Sequence, residues 1–392
     1  MEQLALADLL AANIGDDRDP YPAYHEARRA APVARAKHLG MDVVMVYGYE
    51  EAGIVLREQE RFSARVNATL MKPLLGRTIL GMDGVEHLTH RRLIAHAFRP
   101  KIVARWEADL IEPTGRELIE AFAARGSAEL VMEFNWQLPV RVFAKILGVP
   151  AIDHGRWQHW AVDLERAAVD WKRGVAASKE VEAYFAPLID ERRADPQDDL
   201  ISELVHAEID GERLPDDVIH GFIRLLIPAG AATTYRLLGS TMIALLTTGW
   251  AERARADRSS IPDAIEETLR WEGPVQFAMR EATADDELAG VPLKAGEFVF
   301  VALGAANRDE RVYPSPDAYD PARGGPPPHK AFGDGVHRCL GEHLARLEAR
   351  VALNALFDRL DDIELTDASD PHVLGYAFRS PNCVPITFRA RS

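Results

Sequence analysis

The sequence predicts a mainly helical fold with a minor β portion, in one domain that spans residues 1–392. Apolar residues recur with helical spacing through much of residues 102–248, which predicts several long helices. Short Val-rich segments near the two ends of the chain predict strands. No stretch has a linker-like composition, so a single large domain is favoured over two.

The composition excludes several classes of protein. Lysine and arginine number 46 and aspartate and glutamate 61, so the formal net charge of −15 disfavours nonspecific binding to nucleic acid. Two cysteines cannot form a disulfide framework, and they suit a reducing compartment. No signal-peptide pattern follows Met1, and the apolar run over residues 225–250 is interrupted by Arg236. We therefore expect a cytoplasmic, monomeric protein without a membrane span.

The first 100 residues combine short regular elements with a long irregular stretch. The expected elements are strands at residues 32–35 and 42–46, a helix at residues 49–57 and an irregular stretch at residues 61–82. A loop of that length is more often functional than idle. Asp83 is expected to cap a following helix, on which His87 and Arg91 share one face. Two cationic side chains on one face indicate either an anion site or a solvated basic surface.

The middle of the chain is expected to be helical. The predicted helices cover residues 102–124, 139–147, 157–169, 175–194 and 216–248. In the last of these, Pro228 and Gly230 interrupt an apolar helix and are followed by Thr233 and Thr234. Proline removes a backbone hydrogen bond and small residues leave space, which predicts a kink with room for water or a small ligand. Tight helix packing is an equally good explanation of the small residues.

The last third of the chain returns to strands. The expected elements are a helix at residues 261–272, strands at 275–280, 287–293 and 298–303, an irregular stretch at 307–328, a long helix from about 340 to 360, and a strand pair at 373–378 and 384–388. Glu267 and Arg270 lie three residues apart on the first of these helices and can form an ion pair.

One loop in this region concentrates unusual features around Cys339. Gly333, Gly335 and Gly341 surround this cysteine, and a helix is expected just after it. A helix N-terminus lowers the pKa of a thiol, and glycine lets the backbone approach a flat ligand closely. A glycine-rich turn with a buried cysteine would give the same pattern.

These motifs, in this order, resemble the cytochrome P-450 family of haem-thiolate monooxygenases, from about residue 19 to the C-terminus. The family's haem-loop pattern Phe-x-x-Gly-x-His-x-Cys-x-Gly is matched at Phe332, Gly335, His337, Cys339 and Gly341. The family's Glu-x-x-Arg pair and its third partner are matched at Glu267, Arg270 and Arg323. Its oxygen-binding helix and its haem-propionate pair are similar to Ala229-Gly230-x-x-Thr233-Thr234 and to His87-x-x-x-Arg91.

The resemblance implies a role for each matched residue. Cys339 would be the axial ligand of haem b, the iron protoporphyrin IX, held between the kinked central helix and the helix after the cysteine loop. The haem propionates would be neutralised by His87, Arg91, Arg280 and His337. Gly335 and Gly341 would give the porphyrin close access to the loop. Glu267, Arg270 and Arg323 would be structural.

The sequence departs from the family pattern at Ala232. The family has aspartate or glutamate just before the first threonine of the kink, and this chain has alanine. Half of the acid–alcohol pair that delivers protons to bound oxygen is therefore missing. We expect protons to arrive through Thr233 and ordered water, or hydrogen peroxide to serve as the oxidant.

The expected activity is insertion of one oxygen atom from O2 into a small to medium, mainly apolar substrate, by hydroxylation or dealkylation. Electrons would come from a ferredoxin or flavodoxin with its reductase, docked near Arg92, Lys330, Arg338 and Arg346, although simple solvated charges would look the same. The alternatives are a peroxide-using hydroxylase, a haem-thiolate isomerase or dehydratase, and a non-catalytic haem sensor or carrier. The resemblance places the substrate pocket among apolar side chains at Leu70, Met71, Leu74, Ile79, Leu80, Leu164, Leu226, Ala229, Val275, Phe277 and Phe378.

Overall fold

A computed structural model describes residues 17–391, except residues 39, 151–152, 326 and 367–369. The helices of this part of the chain are α1 (Tyr21–Ala30), α2 (Tyr49–Arg57), α3 (Arg65–Leu75), α4 (Gly84–Ala95), α5 (Pro100–Trp106), α6 (Glu112–Ala123), α7 (Gln137–Ile146), α8 (His154–Glu165), α9 (Trp171–Ala194), α10 (Leu200–His206), α11 (Asp216–Thr248), α12 (Trp250–Ala256), α13 (Ile261–Trp271), α14 (Leu303–Ala306) and α15 (Glu342–Arg359). The mainly helical prediction is confirmed.

The strands form small sheets near the edge of the helical body. They are β1 (Val33–His38), β2 (Met41–Val46), β3 (Phe62–Ser63), β4 (Ser127–Glu129), β5 (Glu208–Ile209), β6 (Glu212–Arg213), β7 (Phe277–Ala282), β8 (Asp286–Leu288), β9 (Val291–Leu293), β10 (Phe298–Ala302), β11 (Leu360–Leu365), β12 (Val373–Leu374), β13 (Ser380–Pro381) and β14 (Pro385–Ala390). The largest sheet has the order β1-β2-β10-β7-β3, and β10 runs parallel to β2. The first and last thirds of the chain therefore meet in one sheet.

Helix α11 is the central element of the helical body. Its 33 residues begin after Pro215 and end at Gly249, whose φ of 76° is left-handed and therefore suits glycine. The helix continues through Pro228 without a break, and most of its middle is buried against α7, α8, α13 and α15. No described helix is both long and apolar enough to cross a membrane.

Three predicted elements are different in the structure. Residues 61–82 are not irregular, because α3 and β3 lie within them; Pro73 stands near the end of α3, where it interrupts little, and Gly76 ends the helix with a φ of 75°. The helix expected over residues 102–124 is divided by a π-helical turn at Glu107–Ile111. The strand expected at residues 287–293 is a hairpin that turns at Ala289 and Gly290, both with positive φ.

The predicted C-terminal strand pair is also wrong. Strand β14 pairs with β11 and β4, whereas β12 pairs with β13 in a separate short hairpin. The segment at residues 384–388 lies largely in β14, as expected, but of residues 373–378 only Val373–Leu374 form a strand, and Gly375 follows with a φ of 110°. The alternation of apolar residues does not identify the partner of a strand.

Candidate active site

The cysteine loop presents Cys339 just before α15. The backbone N–H of Cys339 donates to the carbonyl of Phe332 at 2.8 Å, which closes the loop, and Gly341 directly precedes the helix. Cys339 is exposed, and the nearest atom to a side chain placed at Gly341 would be the Cys339 sulfur at 4.0 Å. The loop is therefore open on the side of the thiol.

The pKa of the Cys339 thiol is shifted in the opposite direction to the one expected from the sequence. The surrounding loop partly desolvates the exposed Cys339 thiol, and this raises its pKa, against the hydrogen bond from the Gly341 N–H and the nearby charges of Arg91 and Arg338. The N–H just before α15 thus lowers the pKa as expected, but in the protein alone desolvation outweighs it. A metal ion deprotonates a coordinating thiol outright.

Gly335 has a different packing role from the one the family pattern suggests. A side chain there would meet the carbonyl of Leu56 at 2.7 Å and the Cα of Arg57 at 2.8 Å. The φ of Gly335 is 67°, so the backbone itself also favours glycine. This glycine thus lets the loop pack against the end of α2.

One face of α11 is open in the middle of an otherwise buried helix. Ala229 is exposed and Thr233, four residues later, is half-buried, so both lie on that face. The Thr233 hydroxyl donates to the Ala229 carbonyl at 2.9 Å. Ala232 and Thr234 are buried on other faces. A side chain at Gly230 would lie 2.4 Å from the Phe143 ring, so glycine there allows α7 to pack closely on α11.

A cluster of cationic side chains lies beside the cysteine loop. His87 is fully buried, its ring lies 4.0 Å from that of His337, and neither of its ring nitrogens has a hydrogen-bond partner among the described residues. Arg280 is buried and donates to the Met279 carbonyl at 2.8 Å. Arg91 donates to the Arg338 carbonyl at 2.5 Å. Buried donors without acceptors are rare in folded proteins and indicate a site for a ligand.

The electrostatics of this cluster favour an anionic ligand. Burial, followed by the charges of His337 and Arg91, lowers the pKa of His87 to about 4. Burial lowers the pKa of Arg280 to about 10. Asp83 is the acid closest to the cluster, with its Oδ1 at 3.6 Å from His337 Nε2. Burial opposes ionisation of Asp83, but its interactions with His337 and Ser63 hold its pKa at about 2. At neutral pH the positive charges of the cluster are those of Arg91 and Arg280, since burial lowers the pKa of both His87 and His337. Two guanidinium groups and two imidazole rings that can donate hydrogen bonds fit two added carboxylates, such as haem propionates.

The side chain of Asp83 makes no capping hydrogen bond to α4, in contrast to the prediction. It stands at the N-cap position, but its carboxylate accepts from the Ser63 hydroxyl and from the Ala64 N–H at 3.1 Å. It ties β3 to the start of α4 and places His87 one turn further on.

The predicted structural residues Glu267, Arg270 and Arg323 meet in a buried network. Arg270 donates from Nε and Nη2 to the Glu267 carboxylate, both at 2.7 Å, and Arg323 Nε lies 3.4 Å from the same group. Both guanidinium groups also donate to backbone carbonyls between residues 307 and 318. The network thus fixes the irregular stretch before the cysteine loop.

The predicted pocket residues are only partly brought together. Leu74, Ile79, Leu164 and Leu226 are buried in the main apolar core, and Val275 pairs with Phe378 through a β-bridge. Leu70 and Met71 are half-buried on α3, Ala229 is exposed on α11, and Leu80 is also exposed.

Phe277 is not placed with the other pocket residues. Its ring packs against Tyr24, His38 and Tyr376. This aromatic cluster lies on one face of the five-stranded sheet, among residues of α1 and β10. The alternation of apolar and polar residues along a strand does not show which face of the sheet is turned to the pocket.

The expected docking surface is smaller than the sequence suggests. Lys330 is 3% exposed, donates to Asp334 at 3.0 Å and lies 4.1 Å from the centre of the Tyr49 ring, so it cannot meet a partner. Arg338 and Arg346 both pair with Glu342. Arg92 is exposed and makes no hydrogen bond or ion pair that the structure describes.

Two buried acids near α11 were missed by sequence reasoning. Glu348 of α15 is fully buried, and burial raises its pKa to about 8, against an interaction with the Thr234 hydroxyl. Glu165 of α8 is paired with Arg236 of α11. Glu348 could have been noticed, because it stands four residues after Leu344 on the apolar face of a predicted helix. No sequence signal links residues 165 and 236.

The fold and this arrangement define a mainly helical haem-thiolate oxidoreductase. The chain belongs to the cytochrome P450 family. The family's sequence profile, described as Cytochrome P450, matches residues 251–372. The cytochrome P450 monooxygenase PikC of Streptomyces venezuelae is 33% identical over 389 residues, which cover 95% of this chain and 91% of PikC.

Solved structures agree with this assignment. Cytochrome P450 CYP109Q5 from Chondromyces apiculatus superposes with a TM-score of 0.87 at 33% identity and covers 96% of both chains. CYP109E1 from Bacillus megaterium in complex with testosterone superposes with a TM-score of 0.85 at 32% identity, covering 94% of this chain and 99% of that one. The protein is thus a cytochrome P450 monooxygenase with a mainly helical fold.

Proposed function

We propose that this monooxygenase inserts one oxygen atom from O2 into a C–H bond of a mainly apolar substrate, by hydroxylation or dealkylation, and that its cofactor is haem b. The observation that carries the proposal is the buried cationic cluster around His87, which lies beside the open loop of Cys339. An anionic, flat, metal-holding group satisfies both features.

Side chains of the cysteine loop and of the cluster around His87 would hold the haem. The Cys339 sulfur would bind the iron, with Phe332 and Gly341 beside it in the loop. His87, Arg91, Arg280 and His337 would hold the propionates by charge-assisted hydrogen bonds. When bound, a haem with a thiolate ligand supplies the electron density that favours cleavage of the O–O bond.

The chain's own residues would manage the protons. The Thr233 hydroxyl lies on the open face of α11, where it donates to the Ala229 carbonyl at 2.9 Å; it would have to leave this acceptor before it could donate to a group bound on that face. Ala232 can supply no proton, so another acid must act. Glu348 keeps its proton at neutral pH and lies beside Thr234, so it can hold a proton at its carboxyl group for transfer along α11.

The apolar side chains proposed for the pocket favour a small to medium, mainly apolar substrate, such as a terpenoid, steroid, fatty acid or aromatic compound. The side chains at Leu164, Leu226, Val275 and Phe378 are apolar, and one similar protein, CYP109E1, has been crystallised with testosterone. Arg77 is not available to a substrate carboxylate, because it is paired with Glu86 at 2.7 Å. Electrons would arrive from a ferredoxin or flavodoxin docked near Arg92.

A second candidate is hydrogen peroxide as the oxidant, which Ala232 favours. Hydrogen peroxide already contains the protons and electrons that O2 would have to receive, so a peroxide-driven reaction depends less on the missing acid. Product formed per NAD(P)H consumed, and product formed with peroxide alone, should be measured for the wild type and for Ala232→Asp. Improved NAD(P)H coupling in the variant supports proton delivery as the weak step, whereas unchanged coupling and unchanged peroxide turnover contradict it.

The main proposal is tested by spectroscopy and ligand screening. The reduced, CO-bound protein should show the Soret band of a thiolate-ligated haem, and Cys339→Ser should lose that band. A library of steroids, terpenoids, fatty acids and aromatic compounds is then screened for shifts of the Soret band. A haem-loaded protein that lacks the thiolate band would overturn the proposal.

A further inference from the structure

Arg236 places a fully buried charge one helical turn after Ala232 on α11. Its Nη1 donates to the Glu165 carboxylate and, at 2.9 Å, to the Ala232 carbonyl. Its Nη2 lies 3.3 Å from the second Glu165 oxygen, and its Nε donates to the Ser380 hydroxyl at 2.7 Å. The guanidinium carbon also lies 5.0 Å from the centre of the Phe378 ring. A single side chain thus joins three separate segments.

Each of these segments carries a residue of the proposed pocket. Glu165 is the last residue of α8 and follows Leu164. Ser380 begins β13, two residues after Phe378. Arg236 itself lies in α11, which also carries Leu226 and Ala229. The distances between α8, α11 and the Phe378 turn therefore depend on the position of one guanidinium group.

We propose that Arg236, paired with Glu165, is a positioning residue that sets the spacing of three pocket walls and so determines which substrates fit. The proposal rests on the proposed function, because it presupposes that the substrate lies between these walls. A planar guanidinium bound to a carboxylate through Nη1 and Nη2 fixes direction as well as distance, which a lysine cannot do. Buried charges tolerate little displacement, since separation leaves each of them without compensation.

The same geometry accounts for alanine at residue 232. Residues 232 and 236 are four apart and share one face of α11, so an acid at 232 would lie next to Arg236. Glu165 already supplies a carboxylate to that guanidinium from α8. The negative charge that α11 lacks at residue 232 is therefore provided by Glu165 of α8, and α8 is one of the proposed pocket walls.

The test compares this pair with a matched buried pair elsewhere. Arg192 of α9 donates from Nε to Asp199 at 2.6 Å, and these side chains are 10% and 4% exposed. This control pair joins α9 to the start of α10, and none of the proposed pocket residues lies in either of those helices. The two double variants, Glu165→Gln with Arg236→Met and Asp199→Asn with Arg192→Met, each remove both charges of the buried pair. Glu191, which also pairs with Arg192, is 60% exposed and stays solvated in the control variant.

The measurement is the ratio of dissociation constants for a bulky and a small iron-binding azole, clotrimazole and imidazole, from Soret titrations of the holoenzymes. Displacement of the pocket walls in the 165/236 variant should change this ratio about tenfold, while the dissociation constant of imidazole alone should change little. The 192/199 variant should have the same ratio as the wild type. Ser380→Ala removes the hydrogen bonds of this hydroxyl to Arg236 and Tyr235 but keeps both charges. It should shift the ratio in the same direction by a smaller factor, and it gives a readout if the double variant does not fold.

An unchanged ratio in the 165/236 and Ser380→Ala variants, or an equal change in the control, would overturn the proposal. Failure of the proposed function is seen separately. In that case the wild type itself lacks the thiolate-type CO spectrum, whereas a normal wild-type spectrum with an unchanged ratio rejects only the role of Arg236.

Discussion

Replacing Glu348 with glutamine tests the charge state of the most unusual acid near α11. Glu348 is fully buried, and its carboxylate oxygens make no hydrogen bond of good geometry with the described residues, although the Thr234 hydroxyl lies close to them. Burial raises its pKa from 4.5 to about 8. Between these values the unfolded chain releases the proton and the folded protein keeps it. The folded state therefore binds more protons, and its stability falls as the pH rises.

The size of the effect follows from that interval. Each pH unit between 4.5 and 8 lowers the stability of the wild type by about 1.4 kcal/mol relative to a side chain that cannot ionise. Integrated from pH 4.5 to pH 7, the penalty is about 3 kcal/mol. Glutamine has nearly the same shape and no proton to lose, so Glu348→Gln should stabilise the protein by up to this amount at pH 7 and by little at pH 5.

Urea unfolding of the holoenzyme at pH 5, 6, 7 and 8 measures the difference between variant and wild type. Other titrating groups cancel in that difference, and Glu60→Gln, at an exposed position, should give a flat control. The difference should grow with pH and level off above pH 8. A difference that does not depend on pH would refute the reasoning, since it would mean that Glu348 is ionised and compensated in the folded protein.

Further predictions concern packing, haem retention and docking. Gly230→Ala should lower the free energy of unfolding by about 1–3 kcal/mol, because the added methyl group would overlap with the Phe143 ring. Adding Phe143→Leu should restore most of the lost stability, and no recovery would contradict this packing. His87→Phe should lower the haem content per folded chain, measured as the pyridine haemochrome, and full occupancy would exclude a role in propionate binding. Arg92→Glu should raise the KM for reduced ferredoxin at low salt while leaving kcat at saturating donor unchanged, and the effect should shrink as salt is added. An equal effect at high salt would exclude docking at Arg92.

The sequence predicts well what depends on local pattern. The helical spacing of apolar residues identifies α11 with its correct ends, since Pro215 and Gly249 are read directly. The cysteine loop and the Glu267–Arg270 pair are likewise short-range signals. These features predict the fold class and the family before any tertiary contact is known.

What the sequence does not predict depends on partners far apart in the chain. In the sequence Lys330 resembles an ordinary surface charge. In the structure it is covered by Tyr49, which lies almost 300 residues earlier in the chain. Phe277 alternates correctly along its strand, but alternation cannot tell which of two apolar faces the pocket lies on. Arg236 and Glu165 meet only because α8 packs across α11. In each case the missing information is tertiary, and composition carries none of it.

The parallel pairing of β2 with β10 has a consequence for synthesis of the protein. Strand β2 ends at Val46 and its partner begins at Phe298, so the ribosome has made about three-quarters of the chain before this edge can be covered. Until then a run of valines is left with unpaired backbone groups, which is a site for aggregation. The cysteine loop is made later still. Newly made chains therefore depend on slow, long-range closure before they can capture their cofactor, and slower expression at low temperature should raise the yield of haem-loaded protein.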